Sequence, residues 1–174
     1  MLKELLGMPE GILKDLHQDH EEVSELIEQL LKTEETKERT PLFKEIMTKL
    51  LAHAHAEQDV LYKKMEKSND EETRSFAFEG DNEHLIVEQQ LNQMSRARNK
   101  ASEQWTAQAT VLRELINHHV GEEEGTGFTC ARREFNSEEL EKLGAQFRRQ
   151  KEKLLADARC EVLLGTLHQL YCQE

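Results

Sequence analysis

Cysteine, proline and aromatic residues are scarce in this 174-residue chain, at 3, 2 and 9 respectively. Three cysteines with no close pairing provide no disulfide framework and fit a reducing compartment. Few prolines and few β-branched residues, beside abundant Glu, Lys, Leu, Gln and Ala, point to helix rather than strand. No apolar run exceeds three residues, Leu50-Leu51-Ala52 being typical. A membrane span needs roughly 20 such residues, so a spanning helix is excluded. Met1 to Met8 lacks the apolar stretch of a secretory signal, which predicts a cytoplasmic location. Basic residues are outnumbered 23 to 35, for a formal charge of −12. That surplus argues against nucleic acid or an anionic membrane as a primary partner. The length suits one compact domain with its own core.

What the chain does have is helical periodicity, five times over. The first stripe is Leu13, Leu16, His20, Val23, Ile27 and Leu30; the second is Phe43, Ile46, Leu50, His53, Glu57 and Leu61. Ala77, Gly80, His84, Val87, Leu91 and Met94 form a third, and Leu112, Leu115, His119 and Glu123 a fourth. The polar stretch Lys32 to Arg39 separates the first two, with Thr40-Pro41 reading as the cap and first residue of the second helix. Ser68-Asn69-Asp70 and the segment 99–102 supply the next turns, and Gly125 with Gly127 is expected to end the fourth helix. The pattern predicts an all-α fold, an antiparallel up-down four-helix bundle over residues 1–135. A fifth run with Leu140, Leu143, Phe147 and Leu154 makes residues 136–174 an amphipathic helical extension. It is expected either to pack on the bundle or to form a homodimer surface.

Eight histidines stand out against this background, and four interrupt the buried stripes. In an antiparallel pair, residues equally far from the connecting turn share one height. With turns near 36, 69 and 101, His20 lies 16 residues before the first and His53 17 after it. His53 lies 16 before the second and His84 15 after; His84 lies 17 before the third and His119 18 after. One residue of mismatch is about 1.5 Å of helix rise, so all four fall in one layer. His53-x-x-x-Glu57 and His119-x-x-x-Glu123 add a carboxylate one turn below two of them, on the same face. A single such pair is ordinarily a solvated surface feature. Two copies on alternate helices would bury two ionised glutamates at several kcal/mol each, and a pair of metal cations compensates that cost. His55 and His118 leave the stripes, His17 flanks the first stripe where it could support the layer from behind or, as the alternative, ligate a metal, and His168 in the extension is expected to be solvated. Glu88, four residues after His84, either approaches the layer or sits on the surface. Cys130 reads as a small residue, with a redox-sensitive thiol as the alternative, and Cys160 and Cys172 carry no spacing signal.

The segments Asp19-His20-Glu21, His53-Ala-His-Ala-Glu57-Gln-Asp-Val-Leu-Tyr62, Glu83-His84 and His118-His119-Val-Gly-Glu122-Glu123-Glu124 together resemble the hemerythrin-like, or HHE cation-binding, family. The resemblance covers roughly residues 10–135. It implies a bundle holding a non-haem di-iron centre, two iron ions with a solvent-derived oxo or hydroxo bridge. His20, His53, Glu57, His84, His119 and Glu123 would be the metal ligands, with Glu57 and Glu123 bridging. The small ligand would be dioxygen, peroxide or nitric oxide. Two positions depart from the oxygen carriers of that family. Glu88 stands where they have a second histidine on the third helix, and their helix-four acid corresponds to Glu124, one residue beyond Glu123. Both departures point toward the divergent branch that includes sensors and iron-responsive proteins. The ferritin-like alternative uses Glu-x-x-His pairs, and no such pair occurs in this sequence.

Imidazole with carboxylate suits iron, manganese or zinc, and spacing alone does not choose among them. Six ligands with two bridging carboxylates make about eight bonds where two octahedral ions take about twelve, which leaves room for solvent and a small ligand. Three readings follow: a di-iron protein that binds or senses dioxygen or related redox ligands; an enzyme that scavenges peroxide or nitric oxide; and a zinc-loaded structural or interaction bundle.

Overall fold

The computed structural model describes residues 9–171, with Arg159 and residues 161–171 as helix backbone alone. Met1–Met8, Cys172 and the side chain of His168 lie outside the described residues. Helix α1 spans Ile12–Lys32 and α2 spans Thr36–Glu57. Helix α2 continues through a π-helical turn, Gln58–Tyr62, into Lys63–Met65. Helix α3 is Glu71–Ser95 and α4 is Glu103–Glu122, the latter running on through a second π-helical turn, Glu123–Gly127, into Phe128–Glu134. Helix α5 is Ser137–Tyr171. The four-helix bundle is α1 to α4, with α1 against α2 and α4, and α3 against the same two. Helix α5 lies along α1 and α2 on the outside of the bundle. Among the described residues no helix is long and apolar enough to cross a membrane.

The turn at 68–70 works as its residues imply: Asp70 caps α3 by accepting from the backbone N–H of Thr73. Ser102 does the same for α4 through Trp105. Two boundary expectations are corrected. Helix α2 starts at Thr36, so Pro41 lies inside it rather than at its first position. The polar stretch is recruited because Arg39 turns inward and is buried, donating to the carbonyls of Thr33 at 2.5 Å and Lys100 at 2.8 Å. The bond that Pro41 cannot donate is the one to the carbonyl of Lys37, an exposed residue. The second correction is at Gly125 and Gly127, which do not end α4. The π turn takes in both, and a Cβ at 127 would lie 2.4 Å from the Phe76 ring, so a larger residue there would have to displace that ring.

Two apolar clusters fill the interior. One contains Val23, Ile27, Leu30, Phe43, Ile46, Leu91, Met94, Trp105, Leu112 and Ile116, near the 33–35 and 96–102 connections. The α4 stripe runs through buried Ile116, with Leu115 only half-buried. The other cluster holds Leu13, Leu16, Tyr62, Met65, Phe76, Phe128 and Cys130. Leu140, Leu143 and Phe147 of α5 belong to it too, so this stretch of the extension packs within the chain. Gly11, with φ at +53°, lets α1 begin directly against the backbone of Leu140, where a Cβ would come within 2.4 Å.

Candidate metal centre

Between the two clusters lies a polar layer. His20, His53, His84 and His119, one from each bundle helix, are 5–7 % exposed, and Glu57 and Glu123 are 0 % and 1 % exposed. Their donor atoms sort into two groups, His20, His53 and Glu123 in one, and Glu57, His84 and His119 in the other, each within 4.8 Å. The structure therefore brings together all six residues singled out in the sequence. Glu123, four residues after His119, faces inward, while Glu124 stays at the edge of the layer and accepts from the His20 side. His55 and Glu88 face outward together at 3.3 Å, and His118 is largely exposed. Cys130 is fully buried in the lower cluster, and burial pushes its thiol pKa up.

A ring of outer contacts aims the imidazoles. Asp19 on α1 meets His53 Nδ1 on α2 at 3.1 Å, Glu83 on α3 meets His119 Nδ1 on α4 at 2.7 Å, and Glu124 on α4 meets His20 Nδ1 on α1 at 2.9 Å. In each case an acid next in sequence to one inward residue holds the histidine of the neighbouring helix. A carboxylate on Nδ1 keeps that nitrogen protonated and leaves Nε2 as an inward-facing lone pair. His17 also meets Glu124, at 2.9 Å, and so sits behind the layer. The fourth link differs. His84 has no carboxylate on Nδ1; instead the Tyr62 ring of α2 stacks flat on it, centroids 5.5 Å apart at 9°. Tyr62 comes from the π turn, and its ring fills the space that a Cβ on Gly80 would occupy. Sequence reasoning missed these partners, though Asp19, Glu83 and Glu124 all adjoin an inward residue. An acid one step along a helix points about 100° around it, toward the next helix.

The layer is unsatisfied as it stands. Both oxygens of Glu57, Oε1 of Glu123 and Nε2 of His53 are buried without a hydrogen-bond partner, and Glu123 Oε2 faces His20 Nε2 at 3.0 Å. Burial and the neighbouring Glu123 push the Glu57 carboxyl pKa well above its ordinary value. Glu123 is held well below, against its burial, by contact with Glu57 and the His20 cation. Burial opposes charge on His20, but Glu123 and then Glu124 outweigh it and raise its pKa to about 9. Burial, reinforced by His119 and His53, keeps His84 neutral, its pKa well below the ordinary value. Without a cation, these shifts favour a proton on Glu57 and on His20.

The donor spacings fit cations. His20 Nε2 lies 3.0 Å from Glu123 Oε2, His84 Nε2 3.0 Å from His119 Nε2, and both His53 and His84 Nε2 3.6 Å from Glu57 Oε2. Two donors bonded to one ion at about 2.1 Å and at angles of about 90–120° are separated by roughly 3.0–3.6 Å. Beside the layer is a small cavity of about 30 Å³, walled by Val23, Leu50, Val87, Ile116 and Val120 and floored by the four histidines.

Residues 11–131 match the family model of the hemerythrin HHE cation-binding domain. The chain belongs to that family. Its hemerythrin HHE domain covers α1 to α4 and stops short of α5. The chain is also 29 % identical over 143 residues to a protein of Nostoc sp. (strain PCC 7120 / SAG 25.82 / UTEX 2576) named DNA nickase. That alignment covers 80 % of this chain but 38 % of the Nostoc protein. No solved structure matches the chain.

Proposed function

We propose that this hemerythrin HHE domain is a non-haem di-iron protein that binds or senses dioxygen or a related small redox ligand. The observation that carries the reading is the pair of fully buried carboxylates facing four histidine nitrogens, Glu57 with no hydrogen-bond donor on either oxygen. His20, His53 and Glu123 would hold one ion and Glu57, His84 and His119 the other, with Glu57 and Glu123 able to bridge. Bound iron would supply a redox-active Lewis acid with room for one more small ligand. The chain's own residues do the rest. Asp19, Glu83 and Glu124 hold protons on three Nδ1 atoms and so orient Nε2 inward. Val23, Val87, Ile116 and their neighbours keep the adjoining cavity apolar and small, which suits a diatomic molecule and excludes bulky substrates.

Metal analysis of anaerobically purified protein, followed by an absorbance scan on admitting air, tests this. Two iron ions per chain and a visible charge-transfer band are expected; a colourless zinc protein would overturn it. Turnover assays with peroxide and nitric oxide separate a sensor, with negligible rates, from a scavenging enzyme.

We assign DNA nicking to the Nostoc relative and not to this chain. A formal charge of −12 opposes duplex binding. Supercoiled plasmid incubated with metal-loaded protein should show no more open circles than the metal alone produces.

A further inference from the structure

Helix α5 lies outside the family match, yet it reaches the histidine layer. The Phe147 ring packs edge-on against His53, centroids 5.8 Å apart at 83°. One turn along, Lys151 Nζ donates to Asp19 Oδ1 at 2.5 Å and sits 5.7 Å from the Phe147 ring centroid. The other oxygen of Asp19, Oδ2, meets His53 Nδ1 at 3.1 Å. The carboxylate is thus clamped between a cation of α5 and the imidazole it orients. Asp19 is 13 % and Lys151 24 % exposed, so the pair is shielded from the water that weakens surface ion pairs. A second ion pair, Arg148 with Asp15, also ties α5 to α1 but touches no residue of the layer.

We propose that α5 is part of the metal centre: Lys151 is a positioning residue that fixes His53 through Asp19, so metal uptake and α5 docking favour one another. The inference rests on the reading of the layer as a metal site. Binding free energies couple reciprocally. If docked α5 aims His53 and so tightens metal binding, bound metal must hold α5 down by the same factor. Occupancy at the layer is then registered in a helix that the family's own domain does not include.

The test compares full-length wild type with Lys151→Met, Lys151→Arg and Arg148→Met. Three quantities are read: affinity for Fe(II) and Co(II) by chelator competition without oxygen, the ligand-field spectrum of the Co(II) form, and amide exchange in α5 with and without metal. Lys151→Met should weaken metal binding about 10–100-fold, the usual loss when the outer partner of a metal-binding histidine is disturbed. It should also alter the Co(II) spectrum and remove the metal-dependent slowing of exchange in α5. Lys151→Arg, which can still donate to Asp19, should restore affinity and spectrum. Arg148→Met, which loosens α5 without touching Asp19, should cost less affinity than Lys151→Met and leave the spectrum unchanged. If Lys151→Met does not fold, Asp19→Asn keeps the shape of Asp19, removes its charge and should give the same three changes. Wild-type affinity and spectrum in Lys151→Met, or an equal loss in Arg148→Met, would overturn the role of α5 alone. A wild-type protein that takes up no metal would overturn it together with the metal reading.

Discussion

Among the described residues, buried polar atoms without a hydrogen-bond partner occur in one half of the bundle and not in the other. In the half around Trp105, buried polar groups are answered by the protein itself. Arg39 donates to Thr33, Lys100 and Thr106, Lys100 donates to the carbonyl of Ala97 at 2.9 Å, and the Trp105 indole N–H reaches the carbonyl of Met94. The helices there are regular, and the polar groups close the loops. From the histidine layer downward, Glu57, Glu123, Tyr62 Oη and Asp81 Oδ1 have buried atoms with no partner, and both π turns lie in this region. Native interiors tolerate few unanswered polar atoms, and π turns cluster at functional sites. The satisfied buried charges close the scaffold, whereas the unanswered carboxylates of Glu57 and Glu123 face the four histidines.

The largest effect should come from removing that mismatch. Metal at a hundredfold excess over its Kd stabilises by about 2.7 kcal/mol, or roughly 5–10 °C in Tm for a domain of this size. Glu57→Ala or Glu123→Ala should abolish this gain, while His55→Ala and His118→Ala, both outward-facing, should keep it. In the metal-free protein Glu57→Gln should be neutral or stabilising, because it removes a buried carboxyl that has no donor. Calorimetry with and without metal reads both signs.

The pH dependence should differ between the two forms. His20, raised from 6.5 to about 9 by its contacts with Glu123 and Glu124, is more readily protonated folded than unfolded. Its contribution is fully present below about pH 6.5 and is lost as pH rises through about 9. Metal-free protein should therefore lose stability across that interval, by up to a few kcal/mol, since each tenfold change in proton affinity is worth about 1.36 kcal/mol. Once metal occupies Nε2, the slope should vanish. Melting curves at pH 6.5, 7.5 and 9 check this; parallel losses in both forms would separate the slope from the layer.

In the upper half, Arg39→Ala should cost about 2–3 kcal/mol, since it strands three acceptors, and by the same amount whether or not metal is bound. Lys100→Met should cost less, because burial already lowers the pKa of that ammonium and its strongest bond is to one loop carbonyl. Denaturant titration in both forms distinguishes scaffold from site: a metal-dependent Arg39 effect would blur the comparison.

How much of each half was legible follows from what encodes it. The histidine layer could be read because its members must be equidistant from the turns, and distance along a helix is written directly in residue counts. Glu123 could be read because His119 lies four residues before it on the same face. The helix starts and stops were less visible. Whether Thr36 or Thr40 begins α2 depends on Arg39 finding acceptors more than 60 residues away. The π turns leave no periodic trace, because Tyr62 against Gly80 and Phe76 against Gly127 select them through contacts between helices. Lys151 is 132 residues from Asp19 and lies in a run whose pattern speaks only of amphipathicity.

The smallest effects test the comparison at single methyl groups. Gly121 and Gly80 are both helical glycines near the layer. A Cβ on Gly121 meets nothing within 4 Å, so Gly121→Ala should gain about 1 kcal/mol from reduced backbone freedom alone. A Cβ on Gly80 would lie 2.5 Å from the Tyr62 ring, which is stacked on His84 and enclosed by Phe76. The ring cannot turn away without leaving His84, so Gly80→Ala should cost about 1–3 kcal/mol by overpacking. It should also weaken metal binding, because His84 has no carboxylate partner to hold it once Tyr62 moves. Gly121→Ala should leave metal affinity unchanged. Paired thermal melts and chelator competition read both quantities, and equal metal affinity in the two variants would show that Tyr62 packs beside the site without positioning His84.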